Sequence, residues 1–210
     1  MLDALSLVVL LFVGTRLFGG TRLLGRRDVR DHVIGIVRGL RLSHFLLCWP
    51  VLLAVVVVAS VALMLPVLSW GWWSAIGGVG NPVLGVSENG SGTAFEWVIP
   101  AVFAAMLIPA LPLFAESEER RFRAGTESMT TGRRARRAVE FGLVHCLIGI
   151  PIGVGLALSI GGAYFTWAYL RGYERGGKSR AAGVLESTRA HLAYNLSVFL
   201  LIGAAFALGV

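Results

Sequence analysis

The chain has 210 residues, 56% of them hydrophobic and only 15% charged, with a mean hydropathy of +0.74. A soluble domain of this size exposes far more charge, so the composition excludes an ordinary water-soluble globule and points to lipid as the solvent. The net charge of +7 lies in the connections between apolar runs, which excludes a nucleic-acid surface as its purpose and fits a basic membrane face.

A helical span needs about 20 apolar residues to cross roughly 30 Å of hydrocarbon, so the chain has room for about six. The expected architecture is all-α: a polytopic transmembrane helix bundle of about six spans forming a single membrane-embedded domain over residues 1–210. The first apolar run, residues 2–18, carries Asp3 and has Arg16 at its far end. It lacks the basic start of a signal peptide and reads as a first span with the N-terminus outside. In the basic stretch that follows, Val29, Val33, Ile36, Val37 and Leu40 recur at helical spacing, with Arg30, Asp31, Arg38 and Arg41 on other faces. That pattern predicts an interfacial amphipathic helix, or simply a connector whose arginines reach the headgroups.

Residues 45–68 form the strongest span, followed by Trp70, Trp72 and Trp73 as an interfacial aromatic belt and by a Gly-, Asn- and Ser-rich outside loop over residues 77–92. The third span covers residues 95–114, with Pro100, Pro109 and Pro112 expected to bend it. A charged segment, residues 116–137, returns the chain to the basic side. The apolar region 138–170 is flanked by basic segments and broken near Gly149, Pro151, Gly153 and Gly155, so two short or bent helices are expected there. Gly149 and Gly153 have the spacing of a small-residue packing pair. The last span runs from about Gly183 to the C-terminus, which puts both termini outside and the basic loops in the cytoplasm. Cys48 and Cys146 lie in apolar runs and offer no disulfide framework.

Ionisable groups inside spans are costly, and three sets stand out. In Glu118-Glu119-Arg120-Arg121-Phe122-Arg123, helical spacing pairs Glu119 with Arg123 and turns Glu118 about 100° away. One carboxylate is then held ionised while the other faces an apolar cavity, unless Arg120 or Arg121 neutralises it at a solvated helix end. His145 follows Phe141 by one turn about two turns inside its span, and Cys146 beside it diverges into packing. His191 and Asn195 share a face and together offer hydrogen bonds to one oxygen, or serve as an interhelical polar clamp. The combined set of Glu, two His and Asn matches what peptide hydrolysis needs: a base, a partner that positions water, and oxyanion donors.

In order and spacing, Glu118-Glu119-x-x-x-Arg123, Phe141-x-x-x-His145 and His191-x-x-x-Asn195 resemble the CPBP family, the CAAX-prenyl-protease-like and bacteriocin-processing intramembrane glutamic peptidases. The resemblance covers residues 116–199. It implies a metal-independent endopeptidase with no cofactor, in which Glu118, helped by His145, activates water. His191 and Asn195 would stabilise the oxyanion, Glu119 and Arg123 would brace the first motif, and Phe141 would pack beside the site. It further implies a bacterial inner-membrane setting, the lipid bilayer as partner, and a peptide or membrane-anchored protein tail cleaved near the cytoplasmic face. The motif departs from the family's habit in carrying Arg120 and Arg121 where hydrophobic residues often stand. Three other readings stay open: a non-catalytic membrane subunit binding other membrane proteins, a metal hydrolase using His145, His191 and Glu118, and a transporter.

Overall fold

The computed structural model describes residues 2–75 and 95–208, all helices and turns with no strand among them. The helices are α1 (Leu2–Leu23), α2 (Arg27–Arg38), α3 (Leu42–Leu63), α4 (Trp72–Ala75), α5 (Phe95–Phe122), α6 (Thr131–Val144), α7 (Ile152–Arg175) and α8 (Arg180–Leu208). Three segments, Leu42–Leu63, Ala101–Ser128 and Ile152–Arg175, are long and apolar enough to cross a membrane. The expected loop over residues 77–92 lies outside the described residues.

Two boundaries differ from the sequence reading. The strongest span ends at Leu63 rather than 68, because the chain turns there and folds back on α7. Its Leu68 and Trp70 carbonyls accept hydrogen bonds from the N–H groups of Gly153 (2.7 Å) and Ile152 (3.0 Å), which have no partner within α7. The charged stretch after residue 116 is not a separate connection: α5 carries the helix through Phe122, with Pro109 and Pro112 inside it. Glu118 and Glu119 therefore stand on a continuous helix.

The region 138–170 does divide at the glycines, but unequally. α6 begins at Thr131, whose predecessor Thr130 caps the helix by accepting from the Arg133 N–H, and is only 14 residues long. It tightens into a 3-10 turn at His145–Ile148 and stops at Gly149, whose φ of +90° suits glycine. α7 is full-length. Gly149 and Gly153 consequently do not share a helix, and the expected packing pair is not formed. Gly153 packs instead on Ala62 and Leu68, while the close α6–α7 crossing is made by Gly142 against Gly155 and by Ala138 against Gly162. As numbers rise along α6 they fall along α7, so the two run antiparallel. Trp72 and Trp73 also take part in tertiary packing. The Trp72 indole N–H donates to the carbonyls of Cys146 (3.0 Å) and Leu147 (3.3 Å), and Trp73 is buried.

The amphipathic α2 does more than lie on a surface. Ile36 is buried against Leu111 of α5 and Leu192 of α8, His32 Nε2 meets Glu116 Oε2 at 2.7 Å, and an Arg189 nitrogen lies 3.4 Å from the Gly35 carbonyl. A Cβ at Gly142 would collide with the Gly155 carbonyl oxygen, whereas one at Gly132 meets nothing within 4 Å. Gly142→Ala is therefore expected to cost about 1–3 kcal/mol in thermal unfolding of the detergent-solubilised protein. Gly132→Ala should stay within about 0.5 kcal/mol of wild type.

Candidate functional site

The polar residues singled out by the sequence converge around one aromatic ring. Phe141 of α6 is buried, and its ring centroid lies 4.9 Å from that of His145, 5.6 Å from that of His191 and 4.4 Å from the Arg123 guanidinium carbon. Helix geometry accounts for the first contact, since residues four apart stand one above the other. The other contacts require α5 and α8 to cross α6 at this level. Phe165 of α7, which no sequence signal distinguished from an ordinary span residue, stacks on His191 with centroids 4.3 Å apart and planes at 17°.

Glu119 and Arg123 are completely buried, with Arg123 Nε 3.5 Å from Glu119 Oε2. The other Glu119 oxygen, Oε1, accepts from His191 Nδ1 at 2.9 Å. A carboxylate oxygen accepts and Nδ1 donates, so this bond orients the imidazole and turns Nε2 outward, 3.9 Å from Glu118 Oε2. Arg123, Glu119, His191 and Glu118 thus form a continuous polar line from the buried core outwards.

Glu118 is the member that meets open space. It lines a cavity of about 340 Å³ with His145, Phe114, Phe122, Val144 and Arg16. It also lines a second cavity of about 310 Å³ that holds Asn195, walled by Phe12, Leu111, Phe114 and Phe199. Its Oε2 is buried yet accepts no hydrogen bond from the protein. Arg120 does not neutralise it, because that guanidinium is engaged with Glu116 at 2.6 Å. Arg121 lines the His145 cavity.

His145 is not two turns inside a span, as the sequence suggested. It is the C-terminal cap of α6, where the helix tightens to 3-10. Its Nδ1 lies 2.8 Å from the Phe141 carbonyl. A carbonyl can only accept, so Nδ1 carries the proton and the neutral ring presents the Nε2 lone pair. Cys146 is not paired with His145: its sulfur lies 3.9 Å from the Pro151 carbonyl. Asn195 stands one turn beyond His191: His191 is bonded to Glu119, and Asn195 lines the second cavity together with Glu118.

Two contributors escaped the sequence reading. Arg16 of α1 lines both cavities beside Glu118, although its sequence position indicated only the end of a span. Two residues before Glu118 on α5, Glu116 contacts both His32 of α2 and Arg120. Among the described residues, no three His, Cys, Asp or Glu side chains are grouped as a metal-ligand set. Comparison with known protein families, with curated proteins and with solved structures gives no match for the chain.

The two adjacent glutamates should separate cleanly in a stability measurement. Glu119→Ala leaves the buried Arg123 without a counter-charge and is expected to lower unfolding stability by about 3–5 kcal/mol. Glu118→Ala removes a carboxylate with access to a cavity and should change stability by less than about 1 kcal/mol. Thermal denaturation of the two purified variants in the same detergent reads the difference.

Proposed function

We propose that the chain is a multi-pass membrane endopeptidase in which Glu118 activates a water that cleaves a peptide or membrane-anchored protein tail, without a metal or other cofactor. The observation that carries this reading is the position of Glu118. Its neighbour is fully buried and bonded to His191, while Glu118 itself borders both cavities with an oxygen that accepts no hydrogen bond from the protein. The order of the three motifs, which the chain has in common with the CPBP peptidases, supports the same assignment.

In this mechanism Glu118 takes a proton from water in the His145 cavity, and the His145 Nε2 lone pair holds the same water in line. The resulting hydroxide adds to the scissile carbonyl carbon, and the carbonyl oxygen becomes an oxyanion met by the Asn195 amide; His191, whose Nδ1–H is committed to Glu119, joins it only when Nε2 is also protonated. Collapse of this intermediate breaks the C–N bond, and the proton on Glu118 passes to the leaving nitrogen. Glu119 and Arg123 act as positioning residues, fixing the tautomer and angle of His191 while Phe141 holds both imidazoles at the same level. The apolar cavity walls suit a hydrophobic segment delivered from the bilayer.

The wider setting belongs to the same proposal. α1, α3, α5, α7, α8 and the short α6 with its 3-10 turn make the six crossings, the arginines of the first turns of α6 staying at the basic face. The basic connections face the cytoplasm of a bacterial inner membrane, and both termini lie outside. The complete burial of Glu119 and Arg123 favours a second reading, in which the polar line fixes helix packing in a non-catalytic subunit that binds other membrane proteins.

Wild type and Glu118→Ala, purified in detergent, should be incubated with lipidated and unlipidated C-terminal tails and leader peptides, with cleavage read by mass spectrometry. Wild type is expected to cleave one class, and the folded variant should lose at least about 100-fold in rate, as should His145→Ala. Unchanged cleavage in Glu118→Ala removes this residue as the base. A folded wild type that cleaves nothing selects the subunit reading. Addition of a chelator should leave the wild-type rate within about twofold, whereas loss of activity restored by added metal would favour the hydrolase built on His145, His191 and Glu118.

A further inference from the structure

A second polar recess, sharing no lining residue with the cavities around Glu118, lies where the start of α3 meets the end of α7 and the first turns of α8. Three guanidinium groups line it: Arg41, just before α3, and Arg171 and Arg175 at the end of α7. None of the three forms an ion pair with a carboxylate among the described residues, although acidic side chains elsewhere at this end are paired. One carboxylate, Glu186, shares the recess and has a partner of its own. The buried His44 accepts the Arg41 backbone N–H on Nδ1 at 2.9 Å, so its proton is on Nε2, which faces Glu186 Oε1 at 3.4 Å. With Glu186 so engaged, the arginines leave an excess of positive charge at the recess.

The surroundings specify what kind of anion belongs there. Trp167, Arg171 and Arg175 recur every four residues on one face of α7, running from aromatic to basic towards the helix end. The Arg171 guanidinium lies 5.1 Å from the Trp167 ring, and Tyr164 stacks on the other partner of that contact with centroids 5.9 Å apart. An aromatic layer followed by arginines is the pattern of the boundary between hydrocarbon and headgroups. Leu47 lines the recess, and it remains exposed together with Leu42 and Leu46 on α3 and with Trp167. Apolar surface thus begins where the arginines end.

We propose that this recess binds the phosphate of an anionic phospholipid, with the acyl chains lying on the exposed faces of α3 and α7. The proposal rests on the chain being membrane-embedded and is independent of the peptidase reading. Arg171 and Arg175 hold the phosphate oxygens, Arg41 closes the site from the α3 side, and the His44–Glu186 pair forms its floor.

The test uses the full chain in a neutral detergent, with thermal unfolding followed against added phosphatidylglycerol, phosphatidylcholine of the same acyl chains, and inorganic phosphate. Phosphatidylglycerol should half-saturate the stabilisation at a concentration about tenfold lower than phosphatidylcholine, and the Arg171→Gln/Arg175→Gln variant should lose that preference. Equal responses to the two lipids in wild type, or an unchanged preference in the double variant, would overturn the proposal. If inorganic phosphate alone reproduced the effect, the lipid would be rejected as the source of the phosphate. Should the double variant fail to fold, Arg41→Gln, altered at an exposed side chain, is expected to reduce the preference at least threefold; full retention there would also overturn it. An Arg133→Gln/Arg136→Gln control on α6 should keep the wild-type preference.

Discussion

A guanidinium and a carboxylate buried together in an apolar bundle impose the constraint on which the site depends. Taking Arg123 and Glu119 out of water costs several kcal/mol per ion, and the cost is offset only if the surrounding helices hold them in a favourable arrangement. The bundle does this with a limited set of parts. Phe141 lies beneath the guanidinium, with Phe122 and Phe165 at 5.7 Å, and His191 donates to the carboxylate oxygen that faces away from Arg123. Each partner comes from a different helix, so the pair fixes how α5, α6, α7 and α8 are rotated against one another.

That rotation has a chemical consequence for the adjacent residue. With Glu119 directed into the core, the 100° step of the helix sends Glu118 to the edge of the core. There, two adjoining cavities that share Phe12, Arg16, Phe114 and Ile148 border it. The burial of one glutamate and the accessibility of the other are thus a single geometric fact. The same fact sets the tautomer of His191, and the Phe141 carbonyl independently sets that of His145. Both imidazoles are oriented before any ligand arrives, which is how a polar site in a low-dielectric interior keeps its reorganisation small.

Close backbone approach supplies the rest of the rigidity. Gly142 and Gly155 bring α6 onto α7 without intervening side chains, and the 3-10 turn after Val144 ends the helix where His145 borders the cavity. At the basic end, Tyr169 donates to Glu127 at 2.8 Å and Arg134 donates to the Thr126 carbonyl at 2.9 Å, tying the α5–α6 turn to its neighbours. α2 closes over α5 and α8 through Ile36. The motif-bearing helices are therefore anchored above and below the polar line.

The all-helical class, the apolar segments and every relation that lies within one helix could be read from the order of residues. Glu119 opposite Arg123, Phe141 one turn before His145, and the divergence of Glu118 from Glu119 follow from 3.6 residues per turn, so they were legible before any tertiary structure. The break at Gly149 was legible for a similar reason, since glycine and proline interrupt a helix locally. Tertiary structure alone decided that His191 bonds to Glu119 rather than acting only with Asn195, that Phe165 stacks on it, and that Arg16 borders both cavities. It also replaced the Gly149–Gly153 pair with Gly142 and Gly155. These relations depend on helix rotation, depth and crossing, which are set by packing between segments distant in the chain and leave no periodic trace in any one of them.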